Sequence, residues 1–191
     1  GGPAGMSSYS WTGPNGFVSV QQNPVVSGSA TAAMAGIYTL TVTNANGCPG
    51  TATTIVVINP LPVVTASNNG PICAGLPLIL AGGPSGMTSY SWTGPNGFIS
   101  TLQSPTVSLT ATVAMAGNYT LTVINSNGCR NTLSTTAVVN ALPVPAAANN
   151  GPVCAGTPLT LTGGPAGMTS YSWTGPSGFT STLQSPVVSL L

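Results

Sequence analysis

One decapeptide sets the organisation of this chain. Ser-Tyr-Ser-Trp-Thr-Gly-Pro-Asn-Gly-Phe occupies 89–98, recurs unchanged at 8–17, and recurs at 170–179 with Ser177 in place of Asn96. The three tryptophans, Trp11, Trp92 and Trp173, are therefore spaced by 81 residues (92 − 11 and 173 − 92). Tyr38 and Tyr119, Cys48 and Cys129, and Cys73 and Cys154 keep the same spacing. A fixed period of this size marks a tandem array of one small unit. Length alone, 191 residues, would suggest one or two domains. The period instead divides the chain into a partial repeat at 1–60 that lacks its first strands, a complete repeat at 61–141, and a partial repeat at 142–191 that lacks its last strands. The sequence thus reads as a window on a longer protein.

Within 61–141 the apolar residues alternate with period two, the strand pattern. Leu78 and Leu80 alternate with Pro77 and Ile79, and Tyr90 and Trp92 with serines and Thr93. Val107 and Leu109 alternate with Thr106, Ser108 and Thr110, and Tyr119, Leu121 and Val123 with Thr120 and Thr122. A last short run covers Thr136 to Val139. Turn signals separate the runs: Gly82-Gly83-Pro84, Gly94-Pro95-Asn96-Gly97, Ala116-Gly117-Asn118 and Asn125-Ser126-Asn127-Gly128. Gly and Asn supply the positive φ that such turns require, and Pro presets φ at the entry position. Six or seven short strands at roughly ten-residue spacing predict an all-β sandwich.

Charge narrows the chemistry. The chain has no Asp, Glu or His, and Arg130 is its one basic side chain. General acid–base catalysis needs His, Asp or Glu within reach of a substrate, and a Ser or Cys nucleophile here has no side-chain base to activate it. Calcium sites rely on carboxylates. No enzyme activity, cofactor or metal is expected of this segment. A net charge of +1 offers nothing to nucleic acid, and no apolar run reaches the length that inserts into a membrane. Regular Trp and Tyr with many β-branched residues argue against disorder.

The strand ending in Tyr90-Ser91-Trp92, followed by Ala116-Gly117-Asn118-Tyr119, resembles an immunoglobulin-type domain. The resemblance implies that Trp92 is the buried Trp of the third strand and that Tyr119 forms a tyrosine corner, its hydroxyl returning to upstream backbone. Antibody domains carry a Cys two residues after that Tyr. Leu121 stands there, so the resemblance implies aliphatic packing on Leu78 or Leu80 where antibodies have a disulfide. Tyr-Ser-Trp-Thr-Gly-Pro-Asn-Gly-Phe, Ala-Gly-x-Tyr-Thr-Leu-Thr-Val and Asn-Gly-Cys together resemble the Ig-like repeats of very large secreted adhesins of Bacteroidetes. Core positions are then Trp11, Trp92, Trp173, Tyr38, Tyr119 and Leu121.

Four cysteines remain. Cys73 and Cys154 precede the second strand of their repeats, and Cys48 and Cys129 follow the sixth. Without a CxxC spacing or a His, metal or redox chemistry finds no support. One pairing is a disulfide within each repeat, Cys73 to Cys129, closing a 56-residue loop (129 − 73) for roughly 4 kcal/mol and leaving Cys48 and Cys154 unpaired. The other pairs Cys48 with Cys73 and Cys129 with Cys154 between neighbours. Either implies an oxidising, extracellular setting.

Three surface features have a second reading. Tyr90 and Trp92 share a strand face and could stack a sugar, though Trp92 fits a core position. Phe98 follows a turn and is the better exposed contact, unless it covers the sandwich end. Thr120 and Thr122 form an outward stripe, and Asn118-Tyr119-Thr120 fits the N-glycosylation sequon. The short linkers Asn59-Pro60-Leu61-Pro62 and Asn140-Ala141-Leu142-Pro143 are stiffened by proline. The expected whole is an extracellular, bacterial, non-enzymatic stalk or fibre of a surface adhesin, partnered by its neighbouring repeats. The alternatives are a self-assembling filament subunit, in which other copies are the partners, and a carbohydrate-binding module, in which glycans are.

Overall fold

The computed structural model describes residues 2–188. Its strands fall into three groups along the chain. The first contains β1 (Ser8–Thr12), β2 (Val18–Ser19), β3 (Gly36–Thr43) and β4 (Pro49–Val56). The second contains β5 (Thr65–Asn68), β6 (Ile72–Cys73), β7 (Leu78–Gly83), β8 (Ser89–Thr93), β9 (Ile99–Ser100), β10 (Thr106–Ser108), β11 (Gly117–Ile124), β12 (Arg130–Ala137) and β13 (Val139–Asn140). The third contains β14 (Ala146–Asn149), β15 (Leu159–Gly164), β16 (Trp173–Thr174), β17 (Thr180–Ser181) and β18 (Val187–Val188).

In the second group β10-β7-β5 form one antiparallel sheet and β12-β11-β8-β9 the other. β6 leaves the first sheet and pairs in parallel with β13, which prolongs the line of β12. This is the immunoglobulin-type sandwich that the Trp and Tyr motifs imply. The inner faces close on one another because alternate residues point inward. Leu78 and Leu80 of β7, Trp92 of β8, and Tyr119, Leu121 and Val123 of β11 are all fully buried, with Val64, Ala111, Ala137 and Val139 completing one cluster. Every member lies between 64 and 139, and every strand of both sheets between 65 and 140. The stretch therefore carries a complete core of its own.

The tyrosine corner is present: the Tyr119 hydroxyl donates to the Met115 carbonyl at 2.9 Å. Close packing fixes two glycines beside it. A Cβ on Gly94 would collide with the Tyr119 ring, and a Cβ on Gly82 would lie 2.7 Å from a Leu121 methyl and 3.1 Å from the Trp92 ring. The turn at 94–97 is left-handed where expected, with φ of 54° at Asn96 and 73° at Gly97.

Ladder register repeats with the sequence period. Trp92 faces Leu121 and Tyr90 faces Val123, while Trp11 faces Leu40 and Tyr9 faces Val42. The first group forms the sheet β2-β1-β3-β4, and the third the sheets β14-β15-β18 and β16-β17. Tyr38 is buried, but Trp11 and Trp173 are only half-buried. These two are less enclosed for different reasons: among the described residues no second sheet of its own group covers Trp11, whereas Trp173 packs under β15 but its own sheet is only β16-β17.

Two local expectations are corrected, and one strand had no counterpart among them. The last strand is not a short run at 136–139: β12 begins at Arg130, and its Ser and Thr residues mask it because it is an edge strand. Polar β5, of sequence Thr-Ala-Ser-Asn, carried no apolar alternation at all. Leu109 is exposed, since a register shift between Thr106 and Ser108 ends the alternation and Ala111 takes the inward position.

Trp92→Ala should lower stability by about 3–5 kcal/mol, the usual range for a fully buried Trp. Gly94→Ala should lower it by about 1–3 kcal/mol through overpacking on Tyr119. Denaturant titration of the full chain measures both.

Candidate functional site

The part of the middle sandwich that meets its neighbours is built from asparagines. The β11–β12 hairpin closes when Asn125 N–H donates to the Cys129 carbonyl (3.0 Å) and Gly128 N–H to the Asn125 carbonyl (3.0 Å). The Asn125 side-chain oxygen then accepts N–H from Asn127 (3.1 Å) and Cys129 (3.0 Å). This is the local side-chain-to-backbone bonding that suits Asn to turns. Asn44 builds the same turn 81 residues earlier, taking N–H from Asn46 and Cys48.

An Asn whose oxygen is used by a turn still has two N–H donors to offer. Asn125 gives one to the Pro60 carbonyl at 3.0 Å. Asn131, at the start of β12, gives one to the Pro62 carbonyl at 3.0 Å. The Cys129 thiol points at the Asn59 carbonyl, 3.7 Å away. Proline carbonyls suit this role, because the linker's prolines cannot donate but keep both acceptor lone pairs. The hairpin thus grips the incoming linker along Asn59–Pro62.

The opposite end is built with the same chemistry. Ile72 N–H donates to the Val138 carbonyl (3.1 Å) and Ala74 N–H to the Asn140 carbonyl (2.8 Å). Asn68 donates to the Thr135 hydroxyl (2.8 Å) and the Thr136 carbonyl (3.0 Å) while accepting Gly70 N–H (2.8 Å). The outgoing linker starts here, at Asn140. Between the two ends, Cys129 to Asn140 spans eleven residues, about 35 Å at 3.3 Å per residue.

This placement bears directly on the cysteines. Cys129 lies at the entry end, beside Asn59. Cys73 lies at the exit end, opposite Asn140 in the β6–β13 ladder. Strand β12 alone separates the two ends by about 25 Å, whereas a disulfide needs Cα atoms within about 7 Å. The within-repeat bridge Cys73–Cys129 is not formed, and all four cysteines, Cys48 and Cys154 included, are free. The neighbour pairing fares no better: Cys48 belongs to a hairpin turn of the Cys129 type, at the end of its repeat remote from the linker that leads to Cys73.

The aromatic candidates resolve in favour of structure. Trp92 is fully buried, and its Nε1–H donates to the Gln103 carbonyl at 3.1 Å. The Tyr90 hydroxyl donates to the Pro84 carbonyl at 2.7 Å and accepts Met87 N–H at 3.3 Å, closing the β7–β8 loop. Phe98 is no free contact, for it packs edge-on to Tyr119 with ring centres 5.5 Å apart. Thr120 is bonded to the Ser134 hydroxyl (2.8 Å), and the exposed Asn118 amide accepts from Thr136 (2.6 Å). Trp92 thus has no exposed ring face, and Tyr90 is half-buried against the core with its hydroxyl engaged. Among the described residues no buried side-chain nitrogen or oxygen lacks a partner.

With this geometry in view, comparison with known proteins gives one family match. Residues 82–139, from the end of β7 to β13, match the PKD-like domain. No curated protein matches the chain. Among solved structures, the amphioxus IgVJ-C2 molecule is 16% identical with a TM-score of 0.35, over 72% of this chain and 92% of that one. The N-terminal four Ig domains of Dscam1 isoform 1.9 are 17% identical with a TM-score of 0.34, over 70% of this chain and 37% of that one. Murine CEACAM1b is 13% identical with a TM-score of 0.29, over 72% and 87%. The middle of the chain is thus similar to a PKD-like domain of Ig-like fold.

Two outcomes test the site. Asn131→Ala removes one neutral hydrogen bond to the linker, worth about 1 kcal/mol, so elastase should cut residues 57–63 about fivefold faster. An unchanged rate would show that the linker is held by other means. Burial raises the Tyr119 pKa above its ordinary 10.0. A raised folded-state value means that the native state holds the proton more tightly, so this stability is fully present below pH 10 and lost as pH rises through the folded value. With no Asp, Glu or His in the chain, the melting temperature should be flat from about pH 4 to 9 and fall above 10. Circular dichroism melts across that range measure it.

Proposed function

We propose that this chain is a non-enzymatic, extracellular structural segment: the stalk or fibre of a large bacterial surface adhesin, divided into repeats at 1–60, 61–141 and 142–191. One observation carries this reading. The incoming linker is gripped at the hairpin end through Asn125 and Asn131, and the outgoing linker leaves from the opposite end at Asn140. Repeats joined end to end in this way extend a chain instead of folding it back. The function is mechanical: each repeat projects whatever the array carries, and its partners are the repeats on either side. The absence of carboxylates and histidines leaves no acid–base apparatus for catalysis.

A second reading, lateral assembly into filaments, draws on exposed apolar side chains with no charge beside them. Ile37 and Ile55 face each other across β3 and β4, and Ile99 projects from edge strand β9. Edge strands are ordinarily protected by Lys, and this chain has none.

Deleting residues 61–141 joins Pro60 to Leu142 in register with the period. In the host protein, the deletion should thin the surface layer by about 35 Å per molecule and leave binding in solution unchanged. Loss of binding in solution would contradict the stalk. Sedimentation of the purified chain as monomer supports the stalk, and pelleting as fibres supports the filament.

A further inference from the structure

Two cysteine positions that lie far apart within one repeat come together at the junction between two. At the entry junction, the Cys129 thiol lies 3.7 Å from the Asn59 carbonyl. At the exit junction, Cys73 is the ladder partner of Asn140, and the next residue's N–H, that of Ala74, donates to the Asn140 carbonyl at 2.8 Å. Asn59 and Asn140 are the same linker position, 81 residues apart. One linker carbonyl is therefore the neighbour both of the exit-end cysteine of the repeat before it and of the hairpin cysteine of the repeat after it.

We propose that these two cysteines form a disulfide across each junction, joining the Cys73-type cysteine of one repeat to the Cys129-type cysteine of the next. The positions suit it. The Cys129 sulfur lies 3.7 Å from the Asn59 carbonyl, and the equivalent Asn140 carbonyl accepts at 2.8 Å the N–H of the residue next to Cys73, so one carbonyl gathers both cysteines into the short range that a disulfide requires. Cys73 is exposed, and Cys129 is partly exposed with its sulfur aimed at the junction. Neither is needed in the core, since the packed cluster contains no cysteine. By this rule Cys129 pairs with the exit-end cysteine of the repeat that precedes its own and Cys73 with the hairpin cysteine of the repeat that follows, so no two of Cys48, Cys73, Cys129 and Cys154 are each other's partners.

The chemistry is thiol–disulfide exchange with a disulfide-bearing oxidoreductase. Two S–H bonds break and one S–S bond forms. Two electrons and two protons pass to the oxidant, whose disulfide becomes a dithiol. The bridge would staple both strands of the junction around the linker, so that a pulled array transmits force past the linker without loading its hydrogen bonds. The proposal needs only the tandem arrangement that the stalk reading also uses. A missing staple would leave the rod intact, so each can fail alone.

The test uses the full chain with residues 61–141 present twice in succession, Cys48→Ser and Cys154→Ser removing the two outer thiols. Of its four remaining cysteines, oxidation by a disulfide exchange catalyst should consume two. Peptide mapping without reductant should join Cys73 of the first copy to Cys129 of the second. Cys73→Ser in the first copy should leave all three remaining thiols free, and the same change in the second copy should leave the bridge in place. Both substitutions are at an exposed position and leave the melt of the reduced protein unchanged. A Cys73–Cys129 link within one copy, or no link in the unsubstituted tandem, overturns the proposal.

Discussion

The burial of Trp92 between the two sheets is the interaction on which the middle sandwich depends. The side chain is fully enclosed, it faces Leu121 across the ladder, and its single N–H is satisfied by the Gln103 carbonyl. Gln103 in turn donates to the Gly82 carbonyl at 2.7 Å, so the ring and the loop after β9 define one another. Gly82 is bare because a Cβ there would press on both Trp92 and Leu121. Leu78, Leu80 and Leu121 fill the inter-sheet space that a disulfide spans in antibody domains. Apolar area of this kind stabilises at about 25 cal/mol per Å², and it does so without reference to redox state.

Everything outside the core is arranged with neutral groups. The only charge, Arg130, is exposed and has no acidic partner in the sequence. Asparagine takes over the tasks that ion pairs often perform: it closes the hairpin, caps the β5–β6 turn and holds the linker. Such bonds are individually modest, near 1 kcal/mol, but salt does not screen them and ordinary pH changes do not titrate them. That insensitivity suits a structural element outside the cell, and it is the physical link between composition and proposed role.

The sandwich was legible because its core strands alternate cleanly. Leu78, Leu80, Trp92, Tyr119, Leu121 and Val123 all point where period two sends them. The tyrosine corner was legible from the Ala-Gly-x-Tyr spacing. What escaped was polar or irregular: β5 and most of β12 bury little, and the shift at Thr106–Ser108 breaks the alternation that placed Leu109 inward. The cysteines misled for a topological reason. Cys73 reads as the start of the second strand, but its two-residue strand crosses to pair with β13 at the end remote from the β11–β12 hairpin. No local signal announces such a crossing. The linker grip was half legible: the turn asparagines and stiff linkers stood out in the sequence, but their contact joins residues 65 and 69 positions apart.

The central claim is that repeats enter at one end and leave at the other, so that the array grows in length alone. Small-angle X-ray scattering on chains carrying two, four and six copies of residues 61–141 measures this directly. The account predicts a maximum dimension that rises linearly by about 35 Å per repeat, with a constant cross-section. A dimension that rises much more slowly, with a thickening cross-section, would show that the repeats fold back on one another and would contradict it.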